Sequence, residues 1–320
     1  MKRRELPTLI LWIAICLVTV AVQPKFFSAS VFRSILLWIP LLVVVAMGEM
    51  MVIVTRGVDV SVGSMMGLAG MCVGILLRDH AGLGVVPAAT IGVLIGAGLG
   101  AVNGSLIAWC SVPPIVATLG TLGAYRGLVH IVCRGRQVDE YNLPRELGRW
   151  SIDGPFHQTL VPWIVVFAIV AAVATLLLLR FTRIGRNIYA IGGNPEAARL
   201  RGVPVRRVTF FVYVLSGIGA GLAGVLYASR FGTINPAAIG TGFELVVISA
   251  VVVGGVSVFG GSGTVTGVVL GCLLLGTIYT ALTVLKLPDA WQGTTYGLVI
   301  LVAVIFDDLV SSIPNQRRIR

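Results

Sequence analysis

Lysine and charge are both scarce in this chain of 320 residues. Only three lysines occur, Lys2, Lys25 and Lys286, and none follows a glycine, so the chain has no phosphate-binding loop of the Walker type. Charged residues make up 12% of the chain and hydrophobic residues 57%, a mixture that no soluble surface tolerates. The missing lysine excludes ATP hydrolysis through such a loop, and the missing charge predicts a protein embedded mostly in lipid.

Paired cysteines and clustered histidines are also absent. The five cysteines include no CxxC pair, and the three histidines are widely separated. We therefore expect no disulfide, no metal site and no catalytic residue. The net charge of +11 lies almost entirely between apolar runs, which is typical of loops that contact anionic lipid headgroups. No cofactor of its own and no nucleic-acid partner are expected for this chain.

Long apolar runs make up most of what is present. Because one bilayer crossing needs about 20 apolar residues, the runs predict an all-α membrane protein, a single transmembrane domain over residues 1–320 with ten spans. Fourteen lysines and arginines fall on the side of the N-terminus and nine on the other, which favours both termini in the cytoplasm. The predicted spans are about 6–22, 35–55, 60–77, 85–109, 113–133, 159–179, 208–227, 243–259, 264–285 and 291–306.

One connection on the cytoplasmic side, about 180–207, is long and basic. It holds seven arginines and a single acid, Glu196, and it contains a short helix with clear start and stop signals. Asn194 can cap this helix, Pro195 suits its first position, and Gly202 ends it. A helix of about seven residues is not stable alone, so we expect it to dock on something.

Glycines recur at four-residue spacing inside the fourth predicted span. Gly92, Gly96, Gly100 and Gly104 fall on one helix face, which lets a neighbouring backbone approach closely. The pattern predicts tight helix packing and implies no ligand.

Polar side chains within the spans are the candidates for a translocation path, because a charge at the centre of a membrane helix costs about 2.5–3.5 kcal/mol. Three states are open for the Glu49 carboxyl group: it is protonated, it pairs with Arg126, or it faces water in a central cavity. Pairing is favoured for Arg126, because a guanidinium cannot lose its charge. Asp59 and Ser61 are interpreted as caps of the third span. Such groups serve equally often as hydrogen-bonding links between helices. The path candidates are Glu49, Asn103, Thr118, Thr121, Arg126 and Glu244.

Several motifs occur together in a fixed order. They are the run Thr55-Arg56-Gly57-Val58-Asp59-Val60-Ser61-Val62-Gly63-Ser64, the pair Asn103-Gly104, the run from Pro113 to Thr121, the loop from Gly185 to Gly202, and the segments Glu244-Leu245, Val252 to Gly255 and Gly260 to Gly267. In this order they resemble the ribose/xylose/arabinose class of ABC-transporter permeases. Within that class, Arg56 and residues 115–127 are most similar to permeases for autoinducer-2 and for rhamnose. Glu49 departs from the pattern, since many members carry a neutral residue there.

The resemblance implies a subunit of a binding-protein-dependent importer in the bacterial inner membrane, with several partners. These are a second permease subunit, identical or paralogous, cytoplasmic ATPase subunits that bind the ATP, and a periplasmic or extracellular sugar-binding protein. Residues 194–201 would then form the coupling helix that docks on the ATPase. The residues expected for coupling are Gly185, Arg186, Pro195, Ala197, Ala198, Arg199, Leu200 and Gly202.

Two other functions remain open at this point. An ion-coupled secondary sugar transporter and a passive solute channel would both show ten apolar spans and a polar path. Neither would need an ATPase partner.

Overall fold

The computed structural model describes residues 5–80, 82–155 and 161–288, together with 291, 293–295, 297, 298 and 301. These residues form a bundle of α-helices and contain no β-strand; a single isolated bridge joins Val138 to Ile234. The helices are α1 (Glu5–Val22), α2 (Ala29–Val54), α3 (Val62–Asp79), α4 (Val85–Ala108), α5 (Pro114–Cys133), α6 (Arg145–Ile152), α7 (Trp163–Phe181), α8 (Arg183–Gly193), α9 (Pro195–Leu200), α10 (Val205–Phe231), α11 (Phe243–Val253) and α12 (Val265–Val284).

Seven of the described helices are long and apolar enough to cross a membrane: α2, α3, α4, α5, α7, α10 and α12. The apolar part of α1, Thr8–Val22, and helix α11 are shorter. Eight predicted spans therefore match a helix of about the predicted position, and the tenth, 291–306, lies largely outside the described residues. The all-helical class is confirmed.

The prediction of one continuous helix over 243–259 is wrong. Helix α11 ends at Val253, and the residues that follow form a turn. Gly255, Gly260 and Gly261 have φ angles of 84°, 84° and 73° there, a region that L side chains rarely adopt. The sequence run is apolar throughout, so hydropathy alone did not reveal the turn.

Residues 232–253 cross the bundle partly as non-helical chain, and we call them the broken span. Their first part runs along α3, with Ile234 against Gly74 at one end and Gly240 against Gly63 at the other. Helix α11 starts only after that point. Glycine is needed at position 240, because φ is 67° and the neighbouring backbone leaves no room for a Cβ atom.

The predicted close approach of a neighbouring backbone at the glycine ladder of α4 is confirmed, and the neighbour is α10. A Cβ atom on Gly96 would lie 2.7 Å from the Cα atom of Gly221, and one on Gly100 would lie 3.0 Å from the Cα atom of Gly217. Gly104 faces Phe210 in the same way. The two backbones therefore touch, which fixes α10 at the centre of the bundle.

The long helix α10 defines two ends of the bundle. Helices α8 and α9 precede its first residue, Val205. Helix α6 lies near its last turn, where the Ser151 hydroxyl donates to the Ser229 carbonyl at 3.0 Å and the Ser229 hydroxyl donates to the Leu147 carbonyl at 2.7 Å. We call these the α8–α9 end and the α6 end.

Candidate functional site

Residues 182–202 contain α8 and α9, and we call them the coupling segment after the role that the sequence predicts for them. Asn194 caps α9, because its Oδ1 atom accepts a hydrogen bond from the Ala197 N–H at 3.0 Å. Pro195 stands in the first turn of the helix, and Gly202 follows it with a φ of 77°. The predicted short helix, its cap and its stop are confirmed.

The structure divides the predicted coupling residues into a buried and an exposed set. Gly185 packs against the backbone of Leu178 and Leu179, and Ala198 is buried. Leu200 is 89% exposed. Gly185 and Ala198 therefore attach the segment to the bundle. The other exposed members are Arg186, Ala197, Arg199 and Gly202, and Pro195 is half-buried.

Arg56 ties the coupling segment to the turn between α2 and α3. Its Nε atom donates to the Gly192 carbonyl at 2.7 Å and its Nη2 atom donates to the Gly193 carbonyl at 2.8 Å, so it satisfies free carbonyls at the C-terminus of α8. The Tyr189 hydroxyl donates to the Gly263 carbonyl at 2.9 Å. Burial raises the pKa of the Tyr189 phenol.

A second group of polar residues lies inside the bundle, where α2, the α2–α3 turn, α4 and α10 meet. The Asp59 N–H donates to Glu49 Oε1 at 3.1 Å. The Ser61 hydroxyl donates to Asp59 Oδ1 at 2.6 Å, and Asn103 Nδ2 donates to the Ser61 hydroxyl oxygen at 2.8 Å. None of these side chains reaches the surface of the chain. We call the group the polar cluster: Glu49, Asp59, Ser61, Asn103 and Ser216.

The interpretation of Asp59 and Ser61 as caps of α3 is wrong. Ser61 stands at the N-cap position, but its side chain accepts no hydrogen bond from α3. The side chain of Asp59 instead accepts from the N–H and hydroxyl of Ser61. These two residues join the α2–α3 turn to the interior of the bundle.

The hydroxyls of Thr118 and Thr121 are taken up by backbone carbonyls. Thr118 Oγ1 lies 2.9 Å from the Pro114 carbonyl oxygen and 3.2 Å from that of Val58. Thr121 donates to the Thr118 carbonyl at 3.3 Å. Both residues are buried. Thr118 links α5 to the α2–α3 turn, whereas Thr121 bonds within α5, and neither side chain projects from the chain.

Arg126 and Glu244 meet at the broken span. The Arg126 guanidinium donates to the Ile239 carbonyl at 2.6 Å, and Glu244 Oε2 is buried against Gly63. Glu49 faces Asp59 instead, so the hypothesis that Glu49 and Arg126 pair is wrong. Arg126 thus donates a hydrogen bond to a backbone carbonyl in the non-helical part of the broken span, and its positive charge attracts the carboxylate of Glu244.

One face of α5 is bare. Gly120, Gly123 and Gly127 have no other described residue within 4 Å of the position a Cβ atom would take. Ile115 and Leu119 on the same face are 53% and 54% exposed. The bare face adjoins the broken span, because Arg126 on α5 reaches that span.

Arg56, Ser216 and Tyr213 were not among the predicted site residues. Ser216 donates to Asp59 Oδ2 at 3.4 Å, and the Tyr213 hydroxyl is buried without a partner among the described residues. The sequence offered one signal for each of the first two: Arg56 lies inside a recognised motif, and Ser216 is a polar residue in an apolar run.

Comparison with known proteins gives one family and a consistent set of relatives. The family model described as branched-chain amino acid transport system, permease component, matches residues 31–304. Autoinducer 2 import system permease protein LsrC of Yersinia enterocolitica is 38% identical over 306 residues, which cover 96% of this chain and 83% of that protein. The proteins of the same name from Yersinia pseudotuberculosis and Yersinia pestis are 38% identical over 286 residues, or 89% of this chain and 79% of each. No solved structure matches.

Proposed function

This chain belongs to the family of permease components of branched-chain amino acid transport systems, and from that premise we propose that it carries autoinducer 2 into the cell. It acts as the membrane-spanning subunit of an ATP-binding-cassette importer. The observation that carries the proposal is the 38% identity to an autoinducer 2 import permease over 96% of the chain. That match is long enough to include the coupling segment, the polar cluster and the broken span.

The family alone does not select the cargo, since its description refers to branched-chain amino acids. The relatives named above are all autoinducer 2 permeases, and this favours autoinducer 2 over rhamnose, a pentose or a hexose. A sugar-binding protein outside the membrane delivers the cargo in the proposed system.

The coupling segment supports the proposal that the energy comes from a separate ATPase. It is capped at both helix starts, it is fixed to the bundle by Arg56, and it exposes Leu200 together with several arginines. A rigid basic segment with an exposed apolar side chain suits docking on a soluble partner. We place the α8–α9 end in the cytoplasm for this reason, and the ATP is bound by the partner.

We propose ten spans, both termini in the cytoplasm, and the bacterial inner membrane as the location. The broken span counts as one crossing in this topology, because its non-helical part and α11 together continue from the last turn of α10 to the turn before α12. The segment 291–306 supplies the tenth crossing. The α6 end then faces the binding protein.

The translocation path is proposed along the bare face of α5 and the broken span. Of the six predicted path residues, Arg126 and Glu244 adjoin this face, whereas Glu49, Asn103, Thr118 and Thr121 are buried within the subunit. A second permease subunit packs against the same face, so that the path runs between the two copies. Close approach there requires small residues, which Gly120, Gly123 and Gly127 supply.

The decisive experiment is uptake of labelled autoinducer 2 into proteoliposomes that contain the permease and its ATPase. We expect uptake only with ATP inside and the loaded binding protein outside, with no competition from leucine. Uptake that a proton or sodium gradient drives without ATP would establish the secondary transporter instead, and uptake down its own gradient alone would establish a channel.

Docking through α9 is tested by Ala197→Trp. Ala197 is exposed, so the variant should fold and insert normally while stimulation of the ATPase by loaded binding protein is lost. Ala198→Trp is unsuitable because Ala198 is 4% exposed and a larger side chain would detach the helix. Arg206→Ala, at an exposed position outside α9, serves as the control and should leave stimulation unchanged.

A further inference from the structure

The polar cluster contains two carboxyl groups that receive very different numbers of hydrogen bonds. Asp59 Oδ1 accepts from the Ser61 N–H at 3.0 Å, from the Ser61 hydroxyl at 2.6 Å and from Asn103 Nδ2 at 3.4 Å. Its Oδ2 atom accepts from the Ser216 hydroxyl at 3.4 Å. Four donors around one carboxylate stabilise its ionised form.

Glu49 receives far fewer hydrogen bonds than Asp59. Its Oε1 atom accepts one bond, from the Asp59 N–H at 3.1 Å, and its Oε2 atom is fully buried without any donor among the described residues. The hydroxyl of Tyr213, which is also fully buried, has no partner there either. An orphaned carboxylate oxygen of this kind is the most costly polar atom to bury.

No described lysine, arginine or histidine donates to Glu49 or Asp59. The other titratable groups that face the pair are Tyr213 on α10 and Tyr125 on α5, and neither carries positive charge. Two adjacent carboxyl groups without a cation cannot both be ionised inside a bundle. Some positive charge must reach the pair.

The side chains around the pair favour a proton over a metal ion. Among the residues that the structure describes, no group of three or more histidine, cysteine, aspartate or glutamate side chains is placed to hold a metal ion. A hard cation such as Ca²⁺ takes about six to eight oxygen ligands, whereas a proton needs a single carboxyl oxygen.

We propose that Glu49 is a proton-binding site. Its side chain holds one proton while Asp59 remains the anion at the centre of the polar cluster. The neutral Glu49 and the anionic Asp59 together hold the α2–α3 turn, and with it Arg56, in place. Loss of the proton would leave two like charges on α2 and on the turn, and these would repel each other.

The proton is observed directly by infrared spectroscopy of the purified permease in lipid nanodiscs. We expect the C=O stretching band of a protonated carboxyl group in the unmodified protein, absent in Glu49→Gln and retained in Glu146→Gln, which changes an exposed acid of α6. The same band still present in Glu49→Gln, or absent from the unmodified protein at neutral pH, would overturn the proposal.

Thermal stability gives an independent answer, because glutamine copies a protonated glutamate. Glu49→Gln should melt at or above the temperature of the unmodified protein, and its advantage should grow from pH 7 to pH 9. Asp59→Asn should melt lower, since its amide would face the donors of Ser61 and Ser216. Equal destabilisation by both substitutions would contradict the assignment. A sodium effect would contradict it as well. If the melting temperature of the unmodified protein rose when sodium replaced choline, and that of Glu49→Gln did not, the site would hold a metal ion.

Discussion

Arg56 offers the sharpest test of how the coupling segment is held. Its guanidinium makes two hydrogen bonds of 2.7 Å and 2.8 Å to the Gly192 and Gly193 carbonyls, and no other described side chain donates to these carbonyls. Hydrogen bonds from a charged donor contribute about 1.5–3 kcal/mol each, and we take the lower value because Arg56 is exposed. Arg56→Ala should therefore weaken the attachment of α8 by about 3 kcal/mol, roughly a hundredfold in the ratio of attached to detached segment.

The assay is ATP hydrolysis by the reconstituted complex with and without loaded binding protein, together with uptake per ATP. We expect Arg56→Ala to keep basal hydrolysis and to lose stimulation and uptake by up to roughly a hundredfold. Arg56→Lys should fall between, because an ammonium group cannot fork to two carbonyls as a guanidinium does. Arg206→Ala is the control, since Arg206 is exposed on the same end.

The variant Arg56→Gly separates the effect of the side chain from the effect of the strained backbone. Arg56 has a φ of 67°, which costs a non-glycine residue about 1–2 kcal/mol, so glycine relieves strain but removes the guanidinium. If Arg56→Gly coupled as well as the unmodified protein, or if Arg56→Ala kept full stimulation, the two hydrogen bonds would not be what transmits the motion.

Two further predictions concern glycines that differ only in their surroundings. Gly96→Leu should abolish folding or strongly reduce yield, because its Cβ atom would lie 2.7 Å from the Gly221 Cα atom. Gly98→Leu should be tolerated, since no described residue lies within 4 Å of the position its Cβ atom would take. Fluorescence-detected size exclusion measures both yields, and equal yields would contradict the backbone contact. Gly123→Cys should form a disulfide between two copies in membranes when oxidised, and Gly98→Cys should not; the reverse result would move the subunit interface from α5 to α4.

The sequence was sufficient where the determining contacts are local. Asn194 and Ala197, whose N–H it caps, are three positions apart. The cap, the helix and its stop could therefore be predicted from the order of the residues. The glycine ladder was readable for the same reason, because its spacing alone identifies one helix face.

Contacts between distant residues were not predictable in this way. Ser216 reaches Asp59 across 157 positions, and Arg126 reaches Ile239 across 113. The apolar run at 243–259 was predicted as a span because hydropathy measures the polarity of side chains and not the conformation of the backbone. The positive φ angles of Gly240, Gly255 and Gly260 become necessary only when neighbouring helices pack closely against the chain.

The broken span also has a consequence for how the transporter is made. Thr241 is exposed in its non-helical part, and backbone that leaves its helix within a bilayer cannot be covered by lipid alone. Arg126 satisfies the Ile239 carbonyl, and several other N–H and C=O groups of this strip bond to one another or to Val138. In the proposed topology a newly inserted subunit would therefore enter the bilayer with much of this strip already bonded, and the proposed second subunit would have only the exposed surface around Thr241 left to cover.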